Sequence, residues 1–348
     1  MSAPKGFGRR LDMGGRVTMT HGGGGRATAQ LIDEMFVAAF DNPLLRQGND
    51  QAQFATPAAG RMVMTTDAFV VAPLFFPGGD IGALAVHGTI NDVAMAGAVP
   101  LYLSAAFIVE EGFPLVDLRR IAESMAAAAR DAGVAIVTGD TKVVERGKGD
   151  GVFVVTTGVG VVPEGVAVGG ERARPGDTVL VSGTIGDHGV AVMSLRANLG
   201  FETRIISDSA PLHGLVAAMV AEVPGLRCLR DPTRGGLAAT LNEIARQSGV
   251  GMTIREVDLP VRADVKGACE LLGLDPLHVA NEGKLVAICP PEDAERLLAA
   301  MRGHPLGREA AIIGAVQADE RHFVQMETVL GGSRIVAWLD GEQLPRIC

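Results

Sequence analysis

Four aspartates provide the densest set of chemically useful groups in this 348-residue chain. Each follows or interrupts an apolar run and stands beside small residues. Aspartate is also common in turns and helix caps, so each of them, taken singly, is explained without a ligand. Taken together, carboxylates at the ends of elements could converge as hard oxygen ligands for Mg²⁺ and a polyphosphate. The four are Asp67, Asp92, Asp140 and Asp231.

The chain ends in PRIC, so its last residue, Cys348, carries a thiol. Cys228, Cys269 and Cys289 stand in apolar runs and form no C-x-x-C pair, which predicts buried structural thiols rather than a zinc site or a redox pair. The segment DGEQLPRIC (340–348) is polar and contains proline. About nine extended residues reach roughly 30 Å, so this tail could carry Cys348 into a cleft and out again.

Two further motifs hold groups that could assist a reaction. Lys142 comes two residues after Asp140 in GDTKVV, where it could polarise a substrate or contact phosphate, or could simply be solvated. Asn281 and Glu282 precede an apolar run in ANEGKLV. This pair could be an ordinary turn, but Glu282 is also placed to act as a general base.

The glycine-rich segment HGGGGRA (21–27) leads into a helical pattern. Backbone N–H groups approach phosphate closely where side chains are absent, although a flexible loop would have the same sequence. The chain has no G-x-x-x-x-G-K-[ST] motif, so any nucleotide site is of another kind. The segment GTIGDHG (183–189) could be a lid or a helix start. We expect a helix start, with Asp187 and His188 on the surface.

Composition excludes several classes of protein. The net charge is −9 and there is no basic run, which argues against sequence-independent nucleic-acid binding. An acidic protein that binds an anionic nucleotide usually needs a bridging cation such as Mg²⁺. No stretch has the length and apolarity of a membrane span, and the first residues lack an apolar signal core. We therefore expect a cytoplasmic protein.

Helical and strand-like patterns alternate along the chain and predict two α/β units of similar size. In the first, 27–40 and 80–98 have helical patterns, with Asp80 as an N-cap, and 61–71 is strand-like. A Gly- and Pro-rich stretch at 162–177 marks the boundary. In the second unit we expect helices near 187–199, 210–222 and 236–248, and strands at 178–183, 285–289, 311–316 and 323–329. The predicted division is a flexible lead-in (1–20), two domains (21–165 and 166–339) and a mobile tail (340–348).

Seven motifs in this order resemble the HypE family of hydrogenase maturation proteins, the carbamoyl dehydratases. The resemblance extends from His21 to Cys348, and the terminal PRIC is its most specific part. This family is grouped with aminoimidazole ribonucleotide synthetase, selenophosphate synthetase and thiamine-monophosphate kinase. The motifs are HGGGG, FFPGGDIG, NDVAMAGA, GDTKVV, DPTRGGLA, NEGKLV and PRIC.

The resemblance implies an α+β fold of two mixed α/β domains of the aminoimidazole ribonucleotide synthetase type, with a flexible C-terminal tail and homodimerisation through the N-terminal domains. It implies that Cys348 accepts a carbamoyl group from HypF and that ATP drives its dehydration to a thiocyanate. The cyanide would pass to the HypC–HypD complex for a [NiFe] hydrogenase. Lys142, Glu282 and Asn281 would assist at the reacting group, and the four aspartates would hold Mg²⁺. ATP contacts are implied for His21, Gly22, Gly23, Gly24, Gly25, Asn91 and Thr141.

Three other functions compete with this interpretation. Selenophosphate synthetase is expected to carry a reactive Cys or selenocysteine and a Lys near its glycine loop, and TMTHGGGGRA has neither. A small-molecule kinase or ligase of the same superfamily would have no use for Cys348. A non-catalytic carrier would use that thiol but would not need the carboxylates and Lys142, and a structural α/β scaffold would need none of them.

Overall fold

The computed structural model describes residues 10–47, 51–197, 205–338, 344 and 346–348. Two separate sheets dominate the structure, one ending at Val162 and the other beginning at Thr178. The boundary predicted between residues 165 and 166 falls in the connection between them. Within the described ranges, no helix is both long enough and apolar enough to cross a membrane.

The N-terminal half contains a four-stranded mixed sheet in the order β1-β6-β4-β5 and a short two-stranded ribbon, β2-β3. A π-helical turn, Ile32–Val37, joins the first two helices. The strands are β1 (Arg61–Phe69), β2 (Phe75–Phe76), β3 (Gly79–Asp80), β4 (Val99–Glu110), β5 (Ala135–Val144) and β6 (Val152–Val162), and the helices are α1 (Arg26–Leu31), α2 (Ala38–Phe40), α3 (Ile81–Met95) and α4 (Leu115–Asp131).

Helix α3 covers one face of this sheet. On β6, alternate residues are buried, as expected for a strand with one face on the core. Gly158 and Gly160 face α3 so closely that a Cβ on either would lie within 3.0 Å of α3 side chains. Asp80 caps α3 by accepting hydrogen bonds from the N–H groups of Gly82 and Ala83, which confirms the predicted N-cap. The opposite face of the sheet has no helix on it among the described residues.

The C-terminal half contains a seven-stranded sheet in the order β13-β12-β9-β11-β7-β10-β8. Its interior strand β7 sends Val179 and Val181 to one core and Leu180 to another, so both faces of the sheet are covered. The strands are β7 (Thr178–Val181), β8 (Cys228–Arg230), β9 (Gly251–Arg255), β10 (Val286–Cys289), β11 (Ala311–Gln317), β12 (Val324–Glu327) and β13 (Ser333–Ile335), and the helices are α5 (Asp187–Arg196), α6 (His213–Glu222), α7 (Gly236–Ser248), α8 (Ala263–Leu272) and α9 (Ala294–Arg302).

Parts of both ends of the chain are described. Residues 1–9 lie outside the described residues, but residues 10–20 are not a loose lead-in: Val17 is buried and its N–H donates to the Phe113 carbonyl. At the other end, residues 339–343 and 345 lie outside the described residues. The last three residues, Arg346–Cys348, pack into the fold.

Candidate active site

The C-terminal tail occupies a cleft beside the end of β1. The Val70 N–H donates to the Cys348 carbonyl and the Ala72 N–H donates to the Arg346 carbonyl, each at 3.1 Å. Between them, the Ile347 side chain is only 2% exposed and belongs to the N-terminal core. The tail therefore pairs its backbone with the chain that follows β1, and places Cys348 at the inner end of the cleft.

The Cys348 thiol lies beside the Glu282 carboxylate, close enough for each group to affect the pKa of the other. Glu282 is 3% exposed, and its Oε1 has no partner among the described residues. Burial, followed by the charges of Asp231 and Asp208, raises the pKa of Glu282 well above its usual value. Burial and the charge of Glu282 also raise the pKa of the Cys348 thiol. The docked sulfur is therefore held as a thiol, beside a carboxyl group that holds its proton more tightly than an exposed one.

Glu282 is placed by a tightly packed loop. Its N–H donates to Asp208 Oδ1 at 3.1 Å, and a Cβ on Gly283 would lie 1.8 Å from the Asp208 carbonyl oxygen. Asn281 Nδ2 donates to the carbonyls of Pro232 and Val279, while its Oδ1 accepts from the Gly186 N–H. Both amide hydrogens of Asn281 are thus used by the backbone. This geometry corrects the expectation that Asn281 orients the reacting group directly, because the residue positions the loop instead.

Three of the four aspartates lie together near Glu282. Burial and the charge of Asp92 raise the pKa of Asp231 to about 7, and Asp67 contributes in the same direction. Burial is also the main cause of the raised pKa values of Asp67 and Asp92, and Asp92 accepts a hydrogen bond from Thr65 Oγ1 at 2.8 Å. Because each negative charge makes the next one harder to hold, the group is suited to a cation.

Asp140 does not join the other three aspartates. Asp67 belongs to the row of paired residues that continues through Thr156 and Ala105 to Gly139, on the face that packs against α3. Asp140 is one residue further on and therefore projects from the opposite face. Three strand spacings, roughly 14 Å, separate β1 from β5. Asp140 instead pairs with Lys142, whose Nζ lies 2.6 Å from Oδ2, and this pairing lowers the pKa of Asp140.

The glycine loop lies beside β5 rather than in the cleft. A Cβ on Gly22 would lie 2.8 Å from the Val143 Cβ, so the loop packs directly on that strand. Gly24 has φ +77°, and added Cβ atoms on Gly24 or Gly25 would meet open space. His21 Nδ1 accepts from the Thr18 N–H, which closes the turn before the loop. Gly23 completes the exposed segment.

The two remaining predicted ATP contacts have different surroundings. Thr141 is buried on β5, where its N–H donates to Asp140 Oδ1. Asn91 is buried on α3, donates to the carbonyls of Ala210 and Glu282, and accepts from the Leu212 N–H. The expectation that Asn91 contacts ATP is not met here, because its amide hydrogens hold the backbone around Glu282 in place.

The residues near Glu282 fit Mg²⁺ only in part. Within the described part of the chain, no three His, Cys, Asp or Glu side chains are arranged to hold a metal ion by themselves. Mg²⁺ commonly takes one or two carboxylates and completes its shell with water and substrate phosphates. The hard oxygen atoms of Asp67, Asp92 and Asp231 therefore fit a Mg²⁺ ion that arrives with a polyphosphate.

Two residues are buried where the sequence predicted exposure, and a third residue near the aspartates was not predicted. Asp187 and His188 do begin a helix, α5, but they are 3% and 0% exposed, so the prediction that they lie on the surface is wrong. Arg234 was not predicted, although its charge opposes the raised pKa values of Asp67, Asp92 and Cys348. The signal was present in DPTRGG, where an arginine follows Asp231 by three residues.

Comparisons with known proteins identify the family of the chain. The models of the AIR synthase related N-terminal and C-terminal domains match residues 48–162 and 174–327. Carbamoyl dehydratase HypE of Cupriavidus necator is 71% identical over 344 residues, covering 99% of this chain and 98% of that protein. These matches confirm the predicted superfamily and its α+β fold.

Solved structures give the same result. A hydrogenase maturation protein HypE in complex with ATP has a TM-score of 0.92 at 51% identity, covering 95% of this chain and 99% of that one. A HypE–HypF complex matches at 53% identity with a TM-score of 0.78, covering 89% and 99%. The selenophosphate synthetase alternative is not favoured. The chain belongs to the HypE family of carbamoyl dehydratases, which are hydrogenase maturation proteins.

Proposed function

We propose that this protein uses ATP to dehydrate a carbamoyl group carried on Cys348, producing a protein thiocyanate as the source of a hydrogenase cyanide ligand. The observation that carries this proposal is the position of the terminal thiol beside the buried carboxylate of Glu282. A terminal cysteine inserted beside a basic carboxylate is an arrangement for chemistry on the sulfur substituent. A chain with a purely structural tail would have no use for it.

The reaction needs an activated oxygen, because the oxygen of an amide is a poor leaving group. Transfer of the γ-phosphoryl group to the carboxamide oxygen releases ADP and one N–H proton, and forms an imidate phosphate on the sulfur. Breaking the C–O bond then expels phosphate and forms the C≡N bond as the second N–H proton leaves. The balance is S-carboxamide plus ATP giving thiocyanate, ADP and phosphate.

Glu282 is placed to accept these protons. A carboxamide on Cys348 would put its nitrogen or oxygen where the thiol now meets the carboxylate. The raised pKa makes Glu282 a stronger base than an exposed carboxylate, which suits proton abstraction near neutral pH. The low exposure of Glu282 and Ile347 also excludes water, which would otherwise hydrolyse the activated group.

The aspartates would hold the cation that accompanies ATP. Asp67, Asp92 and Asp231 are the protein ligands we propose for Mg²⁺, which would offset the charge of the transferring phosphoryl group. A HypE relative has been solved with ATP. Arg234 adds a cation on the same side of the cleft, as its effect on the nearby pKa values indicates.

Asp140, Lys142 and the glycine loop require a second chain in this proposal. The open face of the N-terminal sheet carries exposed Met62 and Met64, at 51% and 69%, together with Asp140 and Lys142. An apolar face of this kind marks an interaction surface. We propose that two chains pair through these faces, so that the Asp140–Lys142 pair and the loop at His21–Gly25 serve a site formed by the dimer.

The tail has to leave its cleft before it can be loaded. A thiol with a raised pKa is a poor nucleophile, so docked Cys348 would not attack a carbamoyl donor. A HypE–HypF complex has been solved for relatives, and we propose HypF as the donor for this chain. The HypC–HypD complex would receive the cyanide, in the cytoplasm.

Measurement of ADP against carbamoylated protein tests the proposal. Full-length protein carrying one S-carboxamide should form one ADP per loaded chain in a single turnover with Mg²⁺ and ATP. Cys348→Ala cannot be loaded and should form no more ADP than a blank, while still binding nucleotide. ADP formation that is independent of loading would point to a small-molecule kinase, and loaded protein that forms no ADP would point to a passive carrier.

A further inference from the structure

The tail is held by side chains of α5 that none of the chemistry above uses. His188 Nε2 lies 2.8 Å from the Ile347 carbonyl oxygen, and Arg196 donates to the Arg346 carbonyl and to the Ala72 carbonyl. Two consecutive carbonyls of the tail are therefore bound from one helix. The backbone N–H groups of Val70 and Ala72 bind the tail from the N-terminal half of the molecule.

The hydrogen bonds define the tautomer of the neutral His188 ring. A peptide carbonyl only accepts, so Nε2 must carry the hydrogen. In the neutral ring Nδ1 is then an acceptor, and the Ser207 hydroxyl donates to it at 2.7 Å. Ser207 Oγ in turn accepts from the Ser209 N–H at 3.1 Å. The ring also stands edge-on to Phe76, at 5.4 Å between centroids. The contacts with Ser207 and Phe76 thus fix both the tautomer and the orientation of the ring.

This helix is also tied to the loop that carries the base. The Gly186 N–H, at the start of α5, donates to Asn281 Oδ1 at 2.8 Å. The Gly189 N–H donates to the Ala280 carbonyl at 3.0 Å. A short path of hydrogen bonds therefore runs from the loop of Glu282, through α5 and His188, to the peptide carbonyl just before Cys348. Helix α5 therefore couples the position of the sulfur to that of the carboxylate.

We infer that His188 is a positioning residue for the dehydration, which seats the tail by donating to the Ile347 carbonyl and so sets the sulfur against Glu282. The inference deepens the proposed function. His188 touches neither the sulfur substituent nor ATP, and it acts through the tail backbone. Burial lowers its pKa, so the ring stays neutral and keeps the required tautomer near neutral pH.

The experiment measures how often Cys348 leaves its docked position beside Glu282. Iodoacetamide alkylates only the undocked thiol, and peptide mass analysis distinguishes Cys348 from the three buried cysteines. Loss of one buried hydrogen bond corresponds to about a tenfold change in the docked-to-undocked ratio. His188→Ala should therefore raise the rate of Cys348 alkylation about tenfold. The single-turnover dehydration of preloaded protein should fall, while loading by the donor should not.

Matched variants distinguish an effect on the docking of the tail from a general loss of stability. His188→Gln keeps an N–H donor near the position of Nε2 and should restore slow alkylation. Ser194→Ala removes a buried hydroxyl from the same helix that has no partner among the described residues, so it should behave like the wild type. Ser207→Ala leaves the ring in place but removes its support, and gives a milder test if His188→Ala does not fold.

Three outcomes would overturn the inference: folded His188→Ala with unchanged alkylation, equal effects of His188→Ala and Ser194→Ala, or wild-type Cys348 that alkylates as fast as an unstructured thiol. Alkylation is independent of the chemistry. A protein that never dehydrates its carbamoyl group, yet shows the His188 effect on alkylation, would refute the proposed function but still support the role of His188 in docking the tail.

Discussion

Replacement of Asp231 by asparagine should stabilise the free protein at alkaline pH while removing its activity. Asp231 has a pKa of about 7 in the folded protein, against 3.8 for an unperturbed carboxyl. The folded state therefore keeps a proton that the unfolded chain releases. Stability is lost as the pH rises from about 4 to about 7, and the full difference corresponds to roughly 4 kcal/mol of the free energy of unfolding. The charge of Asp92 is the second largest cause of the raised pKa, after burial, and so contributes to this loss of stability.

Asp231→Asn is nearly isosteric and cannot ionise. The charges of Asp67 and Asp92 contribute to this loss of stability together with Asp231. We therefore expect the variant to regain about half of the lost free energy of unfolding, on the order of 2 kcal/mol near pH 8, and less than about 1 kcal/mol near pH 4. Thermal and urea unfolding of the nucleotide-free protein, at both pH values, measures the gain. A rise of the melting temperature by about 3 °C is expected near pH 8.

Asp140→Asn is the matched control. Asp140 is exposed and its pKa is lowered by the hydrogen bond from Lys142, so neutralising it should bring no gain near pH 8. The expected result would be contradicted if Asp231→Asn were no more stable than the wild type near pH 8, or if its gain in the free energy of unfolding were the same near pH 4. In either case the three carboxylates would not be crowded as the structure has them.

Glu282→Gln should accept the carbamoyl group but dehydrate it about a hundredfold to ten-thousandfold more slowly, since a general base is lost, and unchanged single-turnover rates would remove Glu282 from the mechanism. Gly283→Ala should destabilise the protein by about 3 kcal/mol or more, because its Cβ would lie 1.8 Å from the Asp208 carbonyl oxygen. Gly267→Ala, whose Cβ meets nothing within 4 Å on α8, should instead stabilise by about 0.5–1 kcal/mol, and the two urea midpoints should therefore move in opposite directions. Met64→Glu should halve the mass measured by light scattering, whereas Leu330→Glu, exposed at the hairpin between β12 and β13, should leave it unchanged; a Met64→Glu protein of unaltered mass would exclude pairing through the open sheet face.

Local patterns were sufficient to predict most helices and strands. The apolar spacing and Asp80 gave α3 and its N-cap, and 236–248 is α7 as predicted. The first helical pattern, 27–40, contains a π-helical turn that periodicity does not reveal. Helices α8 and α9 and the short strands β8, β9 and β13 were not predicted. Their apolar runs are brief, and tertiary packing decides whether such runs become strands or helices.

Residue type alone could not separate reacting groups from supporting ones. Asn91 and Asn281 resembled ligands, but both satisfy buried backbone groups, a need that appears only when the loops are folded together. His188 was predicted to lie on the surface, yet it contacts the tail and Phe76. Asp140 and Lys142, two residues apart on β5, share one face of that strand. Only the pairing register showed that this face is not the one that carries Asp67.

The central claim is that the sulfur of Cys348 is itself the site of reaction and that Glu282 completes the loss of water there. Full-length protein carrying an S-carboxamide should be mixed with Mg²⁺ and ATP, and its C-terminal peptide analysed by mass spectrometry and infrared spectroscopy. The C-terminal peptide of the wild type should lose the mass of one water and show a nitrile stretch, and neither change should occur in Glu282→Gln. An unchanged S-carboxamide in the wild type, or a nitrile located anywhere other than Cys348, would contradict the central claim.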